Sequence, residues 1–85
     1  MRIKMNNHAT QRINERGIER DVVVEACNAR LSIKKRGRVA IHMTAHKCVF
    51  IFDGVSLKTV FRVGTKRNAK NDANQHGRCK FVEIN

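Results

Sequence analysis

The chain of 85 residues contains no proline, tryptophan or tyrosine, and its only aromatic residues are four phenylalanines. The lack of proline leaves no Pro-rich linker, and the length suits one domain with a thin core. Proteins that bind single strands by stacking bases need exposed aromatic rings. Phe50, Phe52, Phe61 and Phe81 all lie in β-strand patterns, where core packing is the default. A base-stacking platform of the RRM or cold-shock type therefore lacks support.

Acidic residues are also few, with seven Asp and Glu against 18 Lys and Arg, which gives a formal net charge of +11. This surplus exceeds that of an ordinary solvated surface and favours a polyanionic partner. Nucleic acid is the first candidate and an anionic membrane the second. The scarcity of carboxylates disfavours a two-metal phosphodiesterase, which needs several around its ions.

Long apolar runs are absent: no stretch of 18 residues exists to form a membrane span, and the first residues lack the apolar core of a signal peptide. Cys27, Cys48 and Cys79 are odd in number and lie among apolar neighbours, which predicts reduced, buried thiols. His76-x-x-Cys79 offers two ligands where zinc needs four. We therefore expect a cytoplasmic protein without metal, cofactor or membrane contact.

The stretch Asn7–Ile18 has the pattern of one short helix with both of its ends encoded. Asn7 is the expected N-cap, and Gly17 suits the left-handed position that ends a helix. Ala9 and Ile13 form a small apolar stripe. Residues four apart share a helix face, so the polar edge beside that stripe carries His8, Arg12 and Arg16.

The rest of the chain reads as a second helix followed by β-strands. The second helix begins near Glu19–Asp21 and runs to about Ala29, and period-two runs follow at Leu31–Lys35, Val39–Met43 and Ser56–Val63. Cys48–Phe52 is almost fully apolar, which predicts a central strand buried on both faces. Asp53-Gly54 predicts a hairpin turn. The sequence 64–78 reads as a basic loop and 79–84 as a last strand. The predicted fold is a single α+β domain over 1–85, with two N-terminal helices packed on one face of a four- to five-stranded, mainly antiparallel sheet.

Basic residues cluster at two places that suit phosphate contacts, which position a protein on nucleic acid without reading sequence. The alternative is that both clusters belong to solvated loops. The predicted nucleic-acid-binding residues are Lys34, Lys35, Arg36, Arg38, Lys66, Arg67 and Lys70.

Catalytic motifs are few, because the chain lacks a Gly-rich phosphate loop, paired carboxylates and His-Glu-x-x-His. Histidine and arginine remain, and these suffice for a ribonuclease that works without metal by activating the ribose 2′-hydroxyl. His8 would supply acid–base chemistry. Arginines would hold the charged oxygens and Thr59 would donate a further hydrogen bond. The predicted catalytic set is His8, Arg12, Arg16, Thr59 and Arg62, with His42 and His46 as accessory candidates.

Each of these residues also has an ordinary structural interpretation. His8 suits an exposed first helical turn, and Arg12 and Arg16 suit ion pairs with Glu15 or Glu19. His42 falls on the polar side of a strand and His46 in a turn. Thr59 is a common β-strand residue.

The segment His8-Ala9-x-x-Arg12-x-x-x-Arg16-Gly17-Ile18, followed by Thr59-Val60-Phe61-Arg62, resembles a small bacterial and phage domain family of unknown function. That family is similar to RelE/ParE toxins and to the barnase, EndoU, colicin and RelE ribonucleases. The resemblance covers 7–63 and implies either RNA cleavage or targeting of the ribosome or tRNA. The site positions that it implies are His8, Arg12, Arg16, Thr59 and Arg62. A further hypothesis, which depends on the basic surface, is that the partner is an acidic antitoxin or inhibitor protein. Phe61 replaces the usual tyrosine, so no phenol is available there.

The sequence therefore supports two hypotheses about function. The first is a toxin-like, metal-independent endoribonuclease that uses histidine and arginine. The second is a non-catalytic basic protein, of phage or mobile-element type, that binds nucleic acid or an acidic protein.

Overall fold

The computed structural model describes residues 2–75 and 77–84. Within them, three helices span Asn7–Glu15 (α1), Arg20–Ser32 (α2) and Lys66–Asn74 (α3), and a 3₁₀ turn spans Thr44–His46. The strands are Lys4–Met5 (β1), Arg38–Met43 (β2), Cys48–Asp53 (β3), Ser56–Arg62 (β4) and Lys80–Ile84 (β5). The fold is α+β as predicted, with one helix more than expected.

The strands form one mixed sheet in the order β1-β4-β3-β2-β5. The central strands β2, β3 and β4 are antiparallel neighbours, and Gly54 takes a φ of +60° in the predicted Asp-Gly turn. Both edge strands pair in parallel, β1 with β4 and β5 with β2. The expectation of a mainly antiparallel sheet therefore holds only for the centre.

The sheet has an apolar cluster on each face. On one face, α1 and α2 cover Val39, Ile41, Phe50, Phe52 and Leu57. On the other face, α3 covers Ala40, Val49 and Ile51. Because β3 is buried on both sides, it has the almost continuous apolar sequence of a central strand. The two predicted N-terminal helices lie on one face, as expected, whereas α3, which was not predicted, covers the other face.

A β-bulge in β4 changes which residues share a face. Ile51 pairs with Thr59 and Phe52 with Leu57, so Lys58 is the extra residue. Strict alternation along the predicted strand Ser56–Val63 places Leu57 and Thr59 on the same side. The bulge instead turns Leu57 towards α1 and α2, and Thr59 towards the α3 face.

Both ends of α1 are capped, with the N-cap one residue earlier than predicted. The Asn6 side chain, not that of Asn7, accepts a hydrogen bond from the Ala9 amide at 2.7 Å. At the other end Gly17 has a φ of +62°, and the Ile18 amide donates to the Ile13 carbonyl at 3.0 Å. Gly17 therefore has the predicted left-handed conformation, and the bond from Ile18 to Ile13 is that of a Schellman motif.

The predicted strand Leu31–Lys35 does not form. Helix α2 continues to Ser32, and 33–37 has no strand structure. One more helical turn places Arg30 on the buried side, four residues after Ala26. The carbonyl groups of Ile33 and Lys35 then accept hydrogen bonds from Arg30 instead of joining a strand ladder.

The predicted basic loop 64–78 is also wrong over most of its length, because it contains α3. Thr65 caps this helix by accepting from the Asn68 amide at 3.1 Å. Ala69 and Ala73, four residues apart, are buried against the sheet. Both alanines belong to the apolar cluster on this face, together with Ala40, Val49, Ile51 and Val63. His76 lies outside the described residues.

Candidate nucleic-acid interface and candidate active site

Cations concentrate where β2, β4 and β5 begin. The Lys4 amide donates to the Val55 carbonyl, and Lys80 donates to the Arg36 carbonyl at 3.0 Å, so separate segments meet there. Residue 4 and the segments 33–38, 53–58 and 77–80 carry eight cations but one acid, Asp53. We call these cations the basic end: Lys4, Lys34, Lys35, Arg36, Arg38, Lys58, Arg78 and Lys80.

The position of the basic end depends on a buried arginine that sequence reasoning missed. Arg30 is only 6% exposed, and its guanidinium donates to the carbonyl groups of Gly54 (3.0 Å), Ile33 (3.1 Å) and Lys35 (3.0 Å). These bonds tie the end of α2 and the 33–35 segment to the β3–β4 turn. The signal in the sequence was a cation on the apolar side of an amphipathic helix.

Asp53 offsets little of this charge. Its carboxylate lies 3.9 Å from Arg38, and both side chains are about half exposed, so the pair is weak. Within the described residues, Lys34, Lys35 and the Arg36 side chain make no ion pair. These three cations therefore remain available to a phosphate-bearing partner.

The other predicted cations, Lys66, Arg67 and Lys70, are exposed on α3 and belong to a separate surface. Two of them already have neighbours. Lys66 Nζ lies 3.9 Å from a Glu83 carboxylate oxygen, and Lys70 Nζ lies 5.5 Å from the Phe81 ring centre. The predicted set of seven cations is thus divided between two surfaces.

Arg62 has a structural role that its sequence position did not reveal. Its Nε donates to the Arg16 carbonyl at 2.8 Å, and Nη2 donates to the Gly17 carbonyl at 3.0 Å. A cation at the negative end of a helix dipole is favourable, so Arg62 fastens the C-terminus of α1 to β4. Its Nη1 makes no hydrogen bond within the described residues.

The same arginine lines a small cleft at the end of the sheet opposite the basic end. His46 enters this cleft from the 3₁₀ turn, and its Nε2 lies 3.5 Å from the Glu25 carboxylate. The volume is about 140 Å³, which is below the range of whole-ligand pockets but sufficient for a phosphate group. We call it the Arg62 cleft: Gly17, Ile18, Glu19, Val22, His46, Cys48 and Arg62.

The polar edge of α1 is only partly connected to this cleft. His8 is exposed in the first turn, about 12 Å along the helix from Arg16. Arg12 forms an ion pair with Glu15. The hydrogen bond from Arg12 has the largest effect in lowering the pKa of the Glu15 carboxyl, and a hydrogen bond from Gln11 has the next largest. Neither His8 nor Arg12 lines the cleft. Nη1 of Arg16 is buried without a hydrogen-bond partner within the described residues.

Thr59 and His42 lie on the α3 face, away from Arg62. Thr59 is 6% exposed and paired with Ile51. The expected polar side of β2 is covered, so His42 is buried, with its ring centre 5.9 Å from that of Phe81. His42 Nδ1 lies 3.4 Å from a Glu83 carboxylate oxygen but makes no hydrogen bond within the described residues. The predicted five-residue catalytic set is therefore not assembled at one place.

The cysteines are free thiols, with Cys48 buried and Cys27 and Cys79 half-buried. Burial raises the pKa of all three, that of Cys48 to about 11. Cys48 is therefore protonated near neutral pH although it lies beside the Arg62 cleft. Among the described residues, no cluster of His, Cys, Asp or Glu has the arrangement of a metal site.

Comparisons with models of protein families, with curated proteins and with solved structures find no match. The resemblance to RelE/ParE toxins therefore stays a prediction. No helix in the described part of the chain is long and apolar enough to cross a membrane.

Proposed function

We propose that this protein binds RNA through the basic end. The observation that carries the proposal is that eight cationic residues and only one acidic residue lie at one end of the sheet. The buried Arg30 holds the segments of this end together through its hydrogen bonds. The remaining ten cations share the chain with six acids, so the charge surplus is concentrated and not spread evenly. A concentrated field of this kind attracts and orients a polyanion.

The way in which the protein would recognise RNA follows from the lack of exposed aromatic side chains among the described residues. Phe50 and Phe52 are buried, and Phe61 and Phe81 are half-buried in the sheet face that α3 covers. Binding therefore depends on the charge and shape of the RNA backbone. Backbone contacts of this type give affinity with little sequence preference and a strong dependence on salt.

The test compares two triple variants that remove the same charge from different surfaces. Lys34→Gln/Lys35→Gln/Arg36→Gln neutralises the basic end, and Lys66→Gln/Arg67→Gln/Lys70→Gln is its matched control on α3. Fluorescence anisotropy with a labelled single-stranded RNA measures the dissociation constant over a series of salt concentrations. We expect the basic-end variant to lower the slope of log K against log salt by about 2, at about 0.7 per lost contact.

The α3 variant should change that slope much less. Equal losses from both variants would show that binding follows net charge alone, and would contradict a specific basic end. Absence of RNA binding by the wild-type protein at low salt would contradict the function itself.

As a second function, we propose metal-independent RNA cleavage at the Arg62 cleft. It is supported by the pairing of an imidazole with a carboxylate, His46 with Glu25 at 3.5 Å, in a cleft that Arg62 also lines. Nη1 of Arg62 makes no hydrogen bond to any residue that the structure describes. His46 would take the proton of the attacking 2′-hydroxyl and return it to the departing 5′ oxygen. Arg62 would hold the phosphate oxygens.

The cleavage proposal is tested with purified protein, total RNA and an excess of EDTA. His46→Ala should lower the rate by about 10²–10⁴, the usual effect of removing a general acid or base. His8→Ala is the matched histidine variant and should leave the rate close to that of wild type. Loss of activity in EDTA, or full activity of the His46→Ala protein, would overturn the mechanism.

A further inference from the structure

The exposed large apolar side chains of the described residues come together in one groove. Met5, Val24 and Leu31 are 43%, 49% and 41% exposed, and all three line a depression of about 430 Å³ between the N-terminal strand and α2. We call it the α2 groove. Scattered exposed apolar residues are common, but a contiguous patch marks an interaction surface.

Local structure does not require these residues to be apolar. Val24 projects from an exposed position of α2, where a β-branched residue is a poor helix former and gains little from packing. Leu31 lies seven residues further on, on the same side of the helix. Val24 thus carries a cost in helix propensity that its packing, at 49% exposure, does little to offset.

The borders of the groove are cationic. Arg2 and Arg20 line it, and Lys34 and Lys35 follow Leu31 at its far end. None of the described residues that line it is acidic. Its length from Arg20 to Leu31 is about 16 Å, or three helical turns.

An apolar floor of this length with a basic border fits a helix that has one apolar stripe and acidic flanks. A second copy of this chain fits poorly. A symmetric contact would bring Arg2 and Arg20 of one copy against the same patch of the other, in a protein that carries +11. We propose that the α2 groove docks an acidic amphipathic helix of a partner protein.

The probe is a synthetic, fluorophore-labelled peptide of about four helical turns, with Leu at i, i+3, i+4 and i+7 on one face and Glu elsewhere. The matched control peptide has the same composition in an order that leaves no apolar face. Because the two peptides carry equal charge, the difference in affinity reports the groove alone. We expect the amphipathic peptide to bind at least about tenfold more tightly.

Val24→Ser/Leu31→Ser should remove this preference, while RNA binding at the basic end stays unchanged. Ala45→Ser, an exposed change outside the groove, is the control and should keep the preference. Circular dichroism verifies that each variant is folded. Arg20→Glu supplies an independent variant at an exposed site, and it should weaken the acidic peptide and strengthen one with Lys in place of Glu.

Equal binding of both peptides, or binding of neither, would overturn the proposal. So would an unchanged preference in the Val24→Ser/Leu31→Ser protein, or an unchanged affinity of the Arg20→Glu protein for the acidic amphipathic peptide. A wild-type dimer in sedimentation that Val24→Ser/Leu31→Ser converts to monomer would assign the groove to a second copy and would equally overturn it.

Discussion

Arg30 Nε donates to the carbonyl oxygen of Gly54 at 3.0 Å, across 24 residues of sequence. This bond joins the end of α2 to the β3–β4 turn. Together with the bonds to Ile33 and Lys35 it places a buried charge among neutral carbonyl groups. Arg30 therefore holds the basic end in place without contributing an exposed cation of its own.

Replacing Arg30 should both destabilise the fold and weaken RNA binding. Arg30→Met keeps a long apolar stem but leaves three carbonyl groups without their donor. Hydrogen bonds to charged groups contribute about 1.5–3 kcal/mol each, and they are not additive, so we expect a loss of about 3 kcal/mol in urea unfolding. Arg30→Lys retains the charge without the three-way geometry, and its stability should lie between those of wild type and Arg30→Met. Equal stability of all three proteins would contradict this role.

Arg62 should contribute to stability through α1. Arg62→Met removes two charge-assisted bonds to the Arg16 and Gly17 carbonyl groups, at a cost of about 2 kcal/mol. Arg12→Met, which breaks only the exposed pair with Glu15, is the control and should cost less than about 0.5 kcal/mol. Urea unfolding measures both. A similar small loss for the two variants would show that Arg62 is not an effective cap.

The cap of α3 should be worth about as much as other N-caps. Thr65→Ala removes the acceptor of the Asn68 amide and should cost about 1 kcal/mol. Thr10→Ala, at an exposed site within α1, is the matched control and should change stability by less than about 0.5 kcal/mol. Thermal unfolding measures the stability of wild type and of both variants. Equal stability of the three proteins would contradict a stabilising N-cap at Thr65.

Alkaline pH should destabilise the protein through Cys48. Burial raises the pKa of this thiol from 9.0 to about 11, so the unfolded chain loses the proton first as pH rises. The contribution is intact below pH 9 and is lost progressively between about 9 and 11. Cys48→Ala should unfold with a smaller fall in stability over this interval. Parallel pH profiles for the two proteins would contradict the assignment.

Elements with strong local signals were predictable from the sequence. The helix ending at Gly17, the Asp53-Gly54 turn and the apolar run of β3 each depend on residues that are close in sequence. The shift of the cap from Asn7 to Asn6 is small because either asparagine suits the position. Such features need no knowledge of distant contacts.

The failures have long-range causes. Ala69 and Ala73 form a helix because a sheet face lies under them, and Arg30 extends α2 because the distant carbonyl group of Gly54 accepts one of its hydrogen bonds. Thr59 turned away from α1 because of one extra residue at Lys58. Arg62 was recognised as important, but its partners are backbone groups 45 and 46 residues away, which no local pattern reveals.

The parallel pairing of both edge strands has a consequence for the order of folding. The β2–β3–β4 meander closes through short turns, whereas β1 must reach β4 and β5 must reach β2 across about forty to fifty residues of chain. Contacts between residues so far apart in sequence form late and open early, because closing a long loop costs conformational entropy before the contacts can contribute any stabilisation. In hydrogen exchange we therefore expect the β3 amides to be the slowest and the two amides of β1 to be the first to exchange.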